Sequence, residues 1–355
     1  MSWAVEDLPM LKKFRWLIFC IVLLVIIFII AELFFRYLYP KISPFDERIA
    51  VRYATPYTMF SNFEYGTKEK LKPRGELRIF MLGGSTVAYG NPPLPVYVEQ
   101  ELRRRGIHEA RVFNYGVISQ NSSQELAHLV FHILDSEPDL VVIYDGGNDI
   151  MDPLLYDPRP GYPFNFLAYE NNVLFKDTRE YPWFSLLAYG SEMFRHLFRN
   201  YFFEKFGNFS SLRMMADYGE VSWAEKTAAI YAGNLAKAAR ICHAYNIQYA
   251  AFFQPIIFYK RHAVSDVEKN ILVGWPKTEA KIVLPYTNDV RARILRNVQE
   301  QQRIFPFEFH DLSGIFAESQ EAVFTDYIHI NDASNKKIAV AICNHLMETI
   351  KKSGN

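Results

Sequence analysis

Glu76-Leu-Arg-Ile-Phe-Met-Leu-Gly-Gly-Ser-Thr86 begins as an apolar run and ends on two glycines and a serine. Residues 76–81 read as a strand buried on both faces. A break at Gly90, Asn91, Pro92 and Pro93 follows, then a helical pattern. A serine between small residues where a strand stops is where an α/β enzyme presents a nucleophile. Any tight strand-to-helix turn has the same composition, so the rest of the chain must decide.

Beyond this stretch, strands and helices alternate. The strand candidates are Leu77–Leu82, Arg111–Tyr115, Leu140–Tyr144, Gln248–Gln254 and Glu308–Leu312. The helix candidates are Tyr97–Arg105, Ser122–Asp135, Ser222–Tyr245, Asp289–Arg303 and Ala333–Lys351. Gly106 suits the end of the first helix. Ser122, with Glu125 three residues on, suits a capping box at the start of the second. This alternation predicts an α/β fold: a parallel five-stranded sheet with right-handed crossovers in a three-layer sandwich. Residues 151–220 interrupt it with a long aromatic stretch. An insertion of that length serves as a lid, a substrate wall, a satellite cluster or a surface resting on a bilayer.

The chain of 355 residues has no formal net charge, and 22% of its residues are charged. That argues against a nucleic-acid partner, which wants a basic surface. No CxxC or Cys/His spacing points to a metal. Cys20 lies in an apolar run. Cys242 and Cys343 fall in helices, where two thiols either pair or serve as small hydrophobes.

Trp16–Phe35 carries a single charge, Glu32, in a run long enough to span a bilayer as a helix. A cleaved signal peptide wants small residues after its apolar part, and here Leu33-Phe34-Phe35-Arg36-Tyr37 follows. A core helix would show a polar face earlier. The expectation is an uncleaved anchor over 14–38, a cytoplasmic tail over 1–13, a juxtamembrane linker over 39–75 and a catalytic domain over 76–355. Lys12, Lys13 and Arg15 put the N-terminal side in the cytoplasm and the domain outside it, on the periplasmic side in a bacterium.

In a doubly wound sheet the ligand crevice lies beyond the carboxyl ends of the strands. The ends here carry Ser85, then Asn114-Tyr115-Gly116, then Asp145-Gly146-Gly147-Asn148-Asp149, then Gln254-Pro255. The last strand leads to Thr325-Asp326-Tyr327-Ile328-His329. Glycines beside polar groups allow backbone N–H groups to approach a substrate oxygen. The expected chemistry is attack by Ser85 on an acyl carbon, with His329 as general base and acid and Asp326 orienting it. The oxyanion would meet the backbone N–H groups of Ser85 and Gly116 and the side-chain amide of Asn148. Singly, each has a plain reading: Ser85 as a helix cap, Asn148 as a turn residue, Asp326 and His329 as a loop pair.

Gly-Gly-Ser85-Thr, Asn114-Tyr-Gly116, Gly146-Gly-Asn148-Asp149 and Asp326-Tyr-Ile-His329 together resemble the four blocks of the SGNH hydrolase superfamily, the GDSL esterases and lipases. The run from Val323 to Asn331, with Asn335 and Ile338-Ala339, resembles that superfamily's last block and closing helix. The resemblance covers residues 76–350 and implies a flavodoxin-like sheet without metal or organic cofactor. It also implies nucleophile, oxyanion-hole and acid/base roles for Ser85, Gly116, Asn148, Asp326 and His329. The name-giving aspartate is absent, because position 84 is glycine.

The leading expectation is an extracytoplasmic serine esterase or deacylase acting on an acyl-ester substrate, such as an acetylated glycan. An O-acyltransferase using the same acyl-enzyme, a lysophospholipase and a catalytically silent envelope component stand as alternatives.

Overall fold

The computed structural model of the chain describes residues 9–38, 71–164, 166, 190–197, 221–274 and 277–353. Most of the expected linker and of the aromatic insertion lies outside these residues. The first element is α1 (Pro9–Tyr37). Then come β1 (Leu77–Gly83), α2 (Ser85–Ala88), α3 (Leu94–Arg104), β2 (Ala110–Gly116), α4 (Ser122–His128), β3 (Leu140–Asp145) and α5 (Gly147–Leu155). The short α6 (Glu192–Leu197) falls within the insertion. The remainder is α7 (Val221–Ala244), β4 (Gln248–Phe253), α8 (Asp266–Gly274), α9 (Lys277–Ile304), β5 (Glu308–Asp311) and α10 (Asp332–Ser353).

The five strands form one parallel sheet in the order β2-β1-β3-β4-β5. Alternate side chains of each strand enter different cores. Phe80, Leu82, Ile143, Ala251 and Phe253 join one, with Tyr231, Leu235, Val290 and Ile294 from α7 and α9. Ile79, Met81, Val142, Tyr144 and Phe252 join the other, with Val98, Leu102, Ile338 and Ile342 from α3 and α10. This is the expected three-layer α/β sandwich. Burying a side chain of this size contributes about 1.5–3 kcal/mol. A one-residue slip would send both sets to the wrong face, so the register is strongly fixed. Gly83 pairs with Gly116 and Tyr144, Asp145 with Phe253, and Phe253 with Asp311. The strand ends therefore form one rim, with the topological switch between β1 and β3.

The two cores also settle the cysteine pair. Cys242 lies in the first and Cys343 in the second, and both thiols are free. Burial pushes each up to about 12. They are small core hydrophobes.

Three local expectations change. The cap of α4 is Asn121, not Ser122: its side chain accepts from the N–H groups of Ser123 and Gln124, and Gln124 reciprocates. Glu125 is instead fully buried. The single helix expected over 122–135 gives way after His128 to a π-helical turn, Leu129–Ile133, and a 3-10 turn, Leu134–Ser136. Finally, α9 begins twelve residues before Asp289 and carries Pro285 in its interior, where one backbone donor is missing.

Helix α1 is apolar and long enough to cross a membrane, and none of its apolar window is buried in the protein. The chain divides into two units, one holding α1 and α6 and the other holding the sheet and the remaining helices.

Candidate active site

Ser85 is the first residue of α2, immediately beyond β1. It is 7% exposed. Its Oγ lies 2.7 Å from Nε2 of His329. The other ring nitrogen, Nδ1, lies 2.6 Å from Oδ2 of Asp326. The structure thus brings Ser85 to a His329–Asp326 pair that lies more than 240 positions away in the sequence.

The glycines before Ser85 have steric causes. A Cβ on Gly83 would sit 2.3 Å from the Tyr144 carbonyl oxygen, a backbone atom of β3 that cannot yield. A Cβ on Gly84 would sit 2.3 Å from Nδ2 of Asn148. The side chain that a Gly-Asp-Ser sequence would place at position 84 has no room here, because the Asn148 amide occupies that space.

Asp326 orients His329 from within its own turn. Its Oδ1 accepts the backbone N–H groups of Ile328 at 2.8 Å and His329 at 2.7 Å. Burial works to raise the Asp326 carboxyl, but hydrogen bonds from the His329 ring and these backbone groups outweigh it. The carboxyl is held below its ordinary value. Asp326 is therefore ionised at neutral pH and accepts from Nδ1–H. That fixes the tautomer leaving Nε2 free to receive the Ser85 proton.

A buried ion pair clamps this turn from below. Lys260 and Glu268 bond at 2.8–2.9 Å with both side chains almost fully buried. Oε1 of Glu268 accepts the N–H groups of Val323 at 2.9 Å and Phe324 at 3.1 Å. Lys260 Nζ donates to the Glu321 carbonyl at 2.6 Å. Burial opposes ionisation of Glu268, yet Lys260 and the backbone donors lower its carboxyl to about 2. The folded value lies below the ordinary carboxylate value of about 4.3. The clamp's stabilisation is therefore complete above that pH and fades as pH falls toward 2. Neither residue carries a sequence signal: two charges eight positions apart match no motif.

Asn148 sits in the first turn of α5, behind Gly146, whose φ is +97°. Its Nδ2 donates to the Gln120 carbonyl at 2.7 Å, which uses one of its two protons. Asp149 receives the N–H and hydroxyl of Ser122 at 3.0 and 2.5 Å, tying the start of α5 to the start of α4. Burial raises the Asp149 carboxyl to about 6 against those bonds. Thr86 Oγ1 donates to Gln254 Oε1 at 3.1 Å, so the end of β4 braces α2.

The backbone N–H of Gly116 is engaged within its own strand end. Its N–H donates to Oδ1 of Asn114 at 3.0 Å. The next residue, Val117, donates to the Gly83 carbonyl. Adjacent N–H groups of a strand point to opposite sides, so that of Gly116 faces the open edge beyond β2. The glycine is needed for packing: a Cβ there would lie 2.3 Å from the Ala88 nitrogen in α2. The turn after β2 runs from Val117, bonded to Gly83, to Gln120, bonded to Asn148. Between them Ser119 adopts φ +51°, an uncommon left-handed conformation for a serine. Among the described residues its backbone N–H has no partner.

No cluster of three or more metal-ligating side chains occurs among the described residues.

No protein-family model and no curated protein matches the chain. Several solved structures do. A lipase/acylhydrolase from Enterococcus faecalis is 14% identical, covering 76% of this chain and 95% of that one at a TM-score of 0.40. A GDSL-like lipase from Bacteroides thetaiotaomicron is 12% identical, covering 79% and 93% at 0.41. An acetylxylan esterase from Geobacillus stearothermophilus, a catalytic mutant, is 13% identical, covering 76% and 93% at 0.41. These are likenesses of fold. The five parallel strands in the order β2-β1-β3-β4-β5, with helices on both faces, make a three-layer α/β sandwich.

Proposed function

We propose that this chain is a serine esterase of the SGNH kind, anchored to a membrane by α1 with its catalytic domain on the extracytoplasmic side. The observation that carries the reading is the hydrogen-bonded chain Ser85–His329–Asp326, at 2.7 and 2.6 Å.

The steps follow from those contacts. His329 Nε2 takes the Ser85 proton as Oγ attacks the acyl carbon. Asp326, ionised beside Nδ1, stabilises the imidazolium that forms. The oxyanion is met by the backbone N–H of Ser85, the second amide proton of Asn148 and the unpartnered N–H of Ser119, which takes the part first read into Gly116. His329 then protonates the departing alcohol, and water enters by the reverse route. The substrate is an acyl ester, acetyl on a glycan being the leading candidate.

The anchor reading draws on α1, whose large apolar side chains are exposed around the whole helix, among them Leu24 at 65% and Ile30 at 62%. A soluble domain would hide such a surface, and a bilayer accepts it. Lys12, Lys13 and Arg15 at its start favour a cytoplasmic N-terminus.

The activity is tested with the detergent-solubilised full chain and p-nitrophenyl acetate. Wild type turns the ester over, and Ser85→Ala falls to the uncatalysed background. Equal turnover by both would overturn the reading.

A further inference from the structure

Glu32 is the one charge within the apolar run of α1, and the structure shows what holds it. Its carboxylate accepts the Ser191 hydroxyl at 2.7 Å and the backbone N–H groups of Glu192 at 2.9 Å and Met193 at 3.1 Å. Arg36, one turn on, reaches the same carboxylate at 2.8 Å and the Gly190 carbonyl at 3.1 Å. Ser191 Oγ in turn accepts the N–H of Phe194 at 3.0 Å, and the ring of Phe35 packs on His196 at 4.8 Å. Residues 190–197, the middle of the insertion between β3 and α7, are thereby fastened to the last turns of α1.

That attachment sets a depth, given the proposal that α1 spans a bilayer. A helix rises 1.5 Å per residue, and a hydrocarbon core of about 30 Å takes about 20 of them. The apolar run Trp16–Phe35 has that length, which puts Glu32 about one turn inside the outer boundary. A carboxylate there is costly unless charge and hydrogen bonds offset it, and Arg36 with the 191–193 donors supplies both. A segment bonded to Glu32 must lie at the same level. Its composition suits that place. Within residues 190–197, Met193, Phe194 and Leu197 stand beside Arg195. Large apolar and aromatic side chains among a few cations are what an interfacial segment carries. Leu197 is 63% exposed on the protein.

We propose that residues 190–197 of the insertion are a second membrane contact, lying in the headgroup–acyl boundary of the bilayer and held there by Glu32. This goes beyond the esterase reading and rests only on α1 being an anchor.

The test uses the full chain in phosphatidylcholine/phosphatidylglycerol nanodiscs, with Cys20→Ser as background. A nitroxide is placed in turn at Leu197→Cys, at Ile26→Cys in the middle of α1 and at Tyr245→Cys, an exposed position after α7. Collision with oxygen, which partitions into lipid, is compared with collision with a nickel chelate, which stays in water. The expected result is oxygen dominance at positions 26 and 197 and nickel dominance at 245. Oxygen dominance at 26 with nickel dominance at 197 overturns the second contact and leaves the anchor standing. Nickel dominance at 26 overturns both. In Glu32→Leu the label at 197 should shift at least threefold toward nickel while that at 26 stays unchanged. No shift would overturn the role given to Glu32.

Discussion

His329→Ala lowers p-nitrophenyl acetate turnover about 10⁴-fold or more and leaves the fold intact. The magnitude follows from how the site is wired. Without Nε2, nothing at 2.7 Å accepts the Ser85 proton, and an alcohol that keeps its proton is a poor nucleophile. Losing the base of such a site forfeits nearly all the contribution of the three residues, since they act as a unit. The fold survives because the side chains of His329 and Asp326 are 35% and 44% exposed, so removing the imidazole opens no core cavity. The loss should fall on kcat, with circular dichroism unchanged. A loss under tenfold would remove His329 as the base.

Gly84→Asp lowers kcat by about a hundred- to a thousandfold with little change in KM. The substitution installs the residue that gives the GDSL families their name, so intuition would predict gain or neutrality. The geometry predicts the opposite. The new Cβ would stand 2.3 Å from Asn148 Nδ2 and 3.5 Å from the Gln120 carbonyl. Asn148 must then swing away, and the oxyanion loses a donor, a loss worth roughly 10²–10³ in rate. Asn148→Ala should reproduce the effect, because both variants remove the same amide from the transition state. Adding Gly84→Asp to Asn148→Ala should cost little more. Full additivity of the two losses would show that position 84 acts through something other than Asn148.

The sheet was legible in the sequence because each strand is a short apolar run bounded by turn residues, and all five lie within two residues of their expected ends. Ser85, Asp326 and His329 were legible as residue types at strand ends. Their meeting depends on the parallel order of the sheet, which alternation with helices implies. The N–H of Gly116, expected at the oxyanion, bonds Oδ1 of Asn114 for a physical reason. Whether a strand-end N–H faces the crevice depends on which side its strand is paired, and nothing in Asn114-Tyr-Gly116 says that β2 is an edge strand. The turn at Ser119 was not legible, because a left-handed backbone is usually signalled by glycine or asparagine, and here a serine adopts it. Glu125 looked like the partner in a capping box; Asn121 takes the cap one residue earlier and sends Glu125 inward. The Lys260–Glu268 clamp depends on the path of the chain after β4, which no local pattern records. The fastening of residues 190–197 to Glu32 joins segments about 160 positions apart through a single carboxylate.

The central claim is that Ser85 is a nucleophile activated by His329. The most direct measurement is the intact mass of the full chain after reaction with a fluorophosphonate, with the adduct located by peptide mapping. One adduct on Ser85 is predicted for wild type, none for Ser85→Ala, and labelling of His329→Ala slowed by at least a hundredfold. A folded wild-type protein that stays unmodified, or one that labels equally fast without His329, would contradict it.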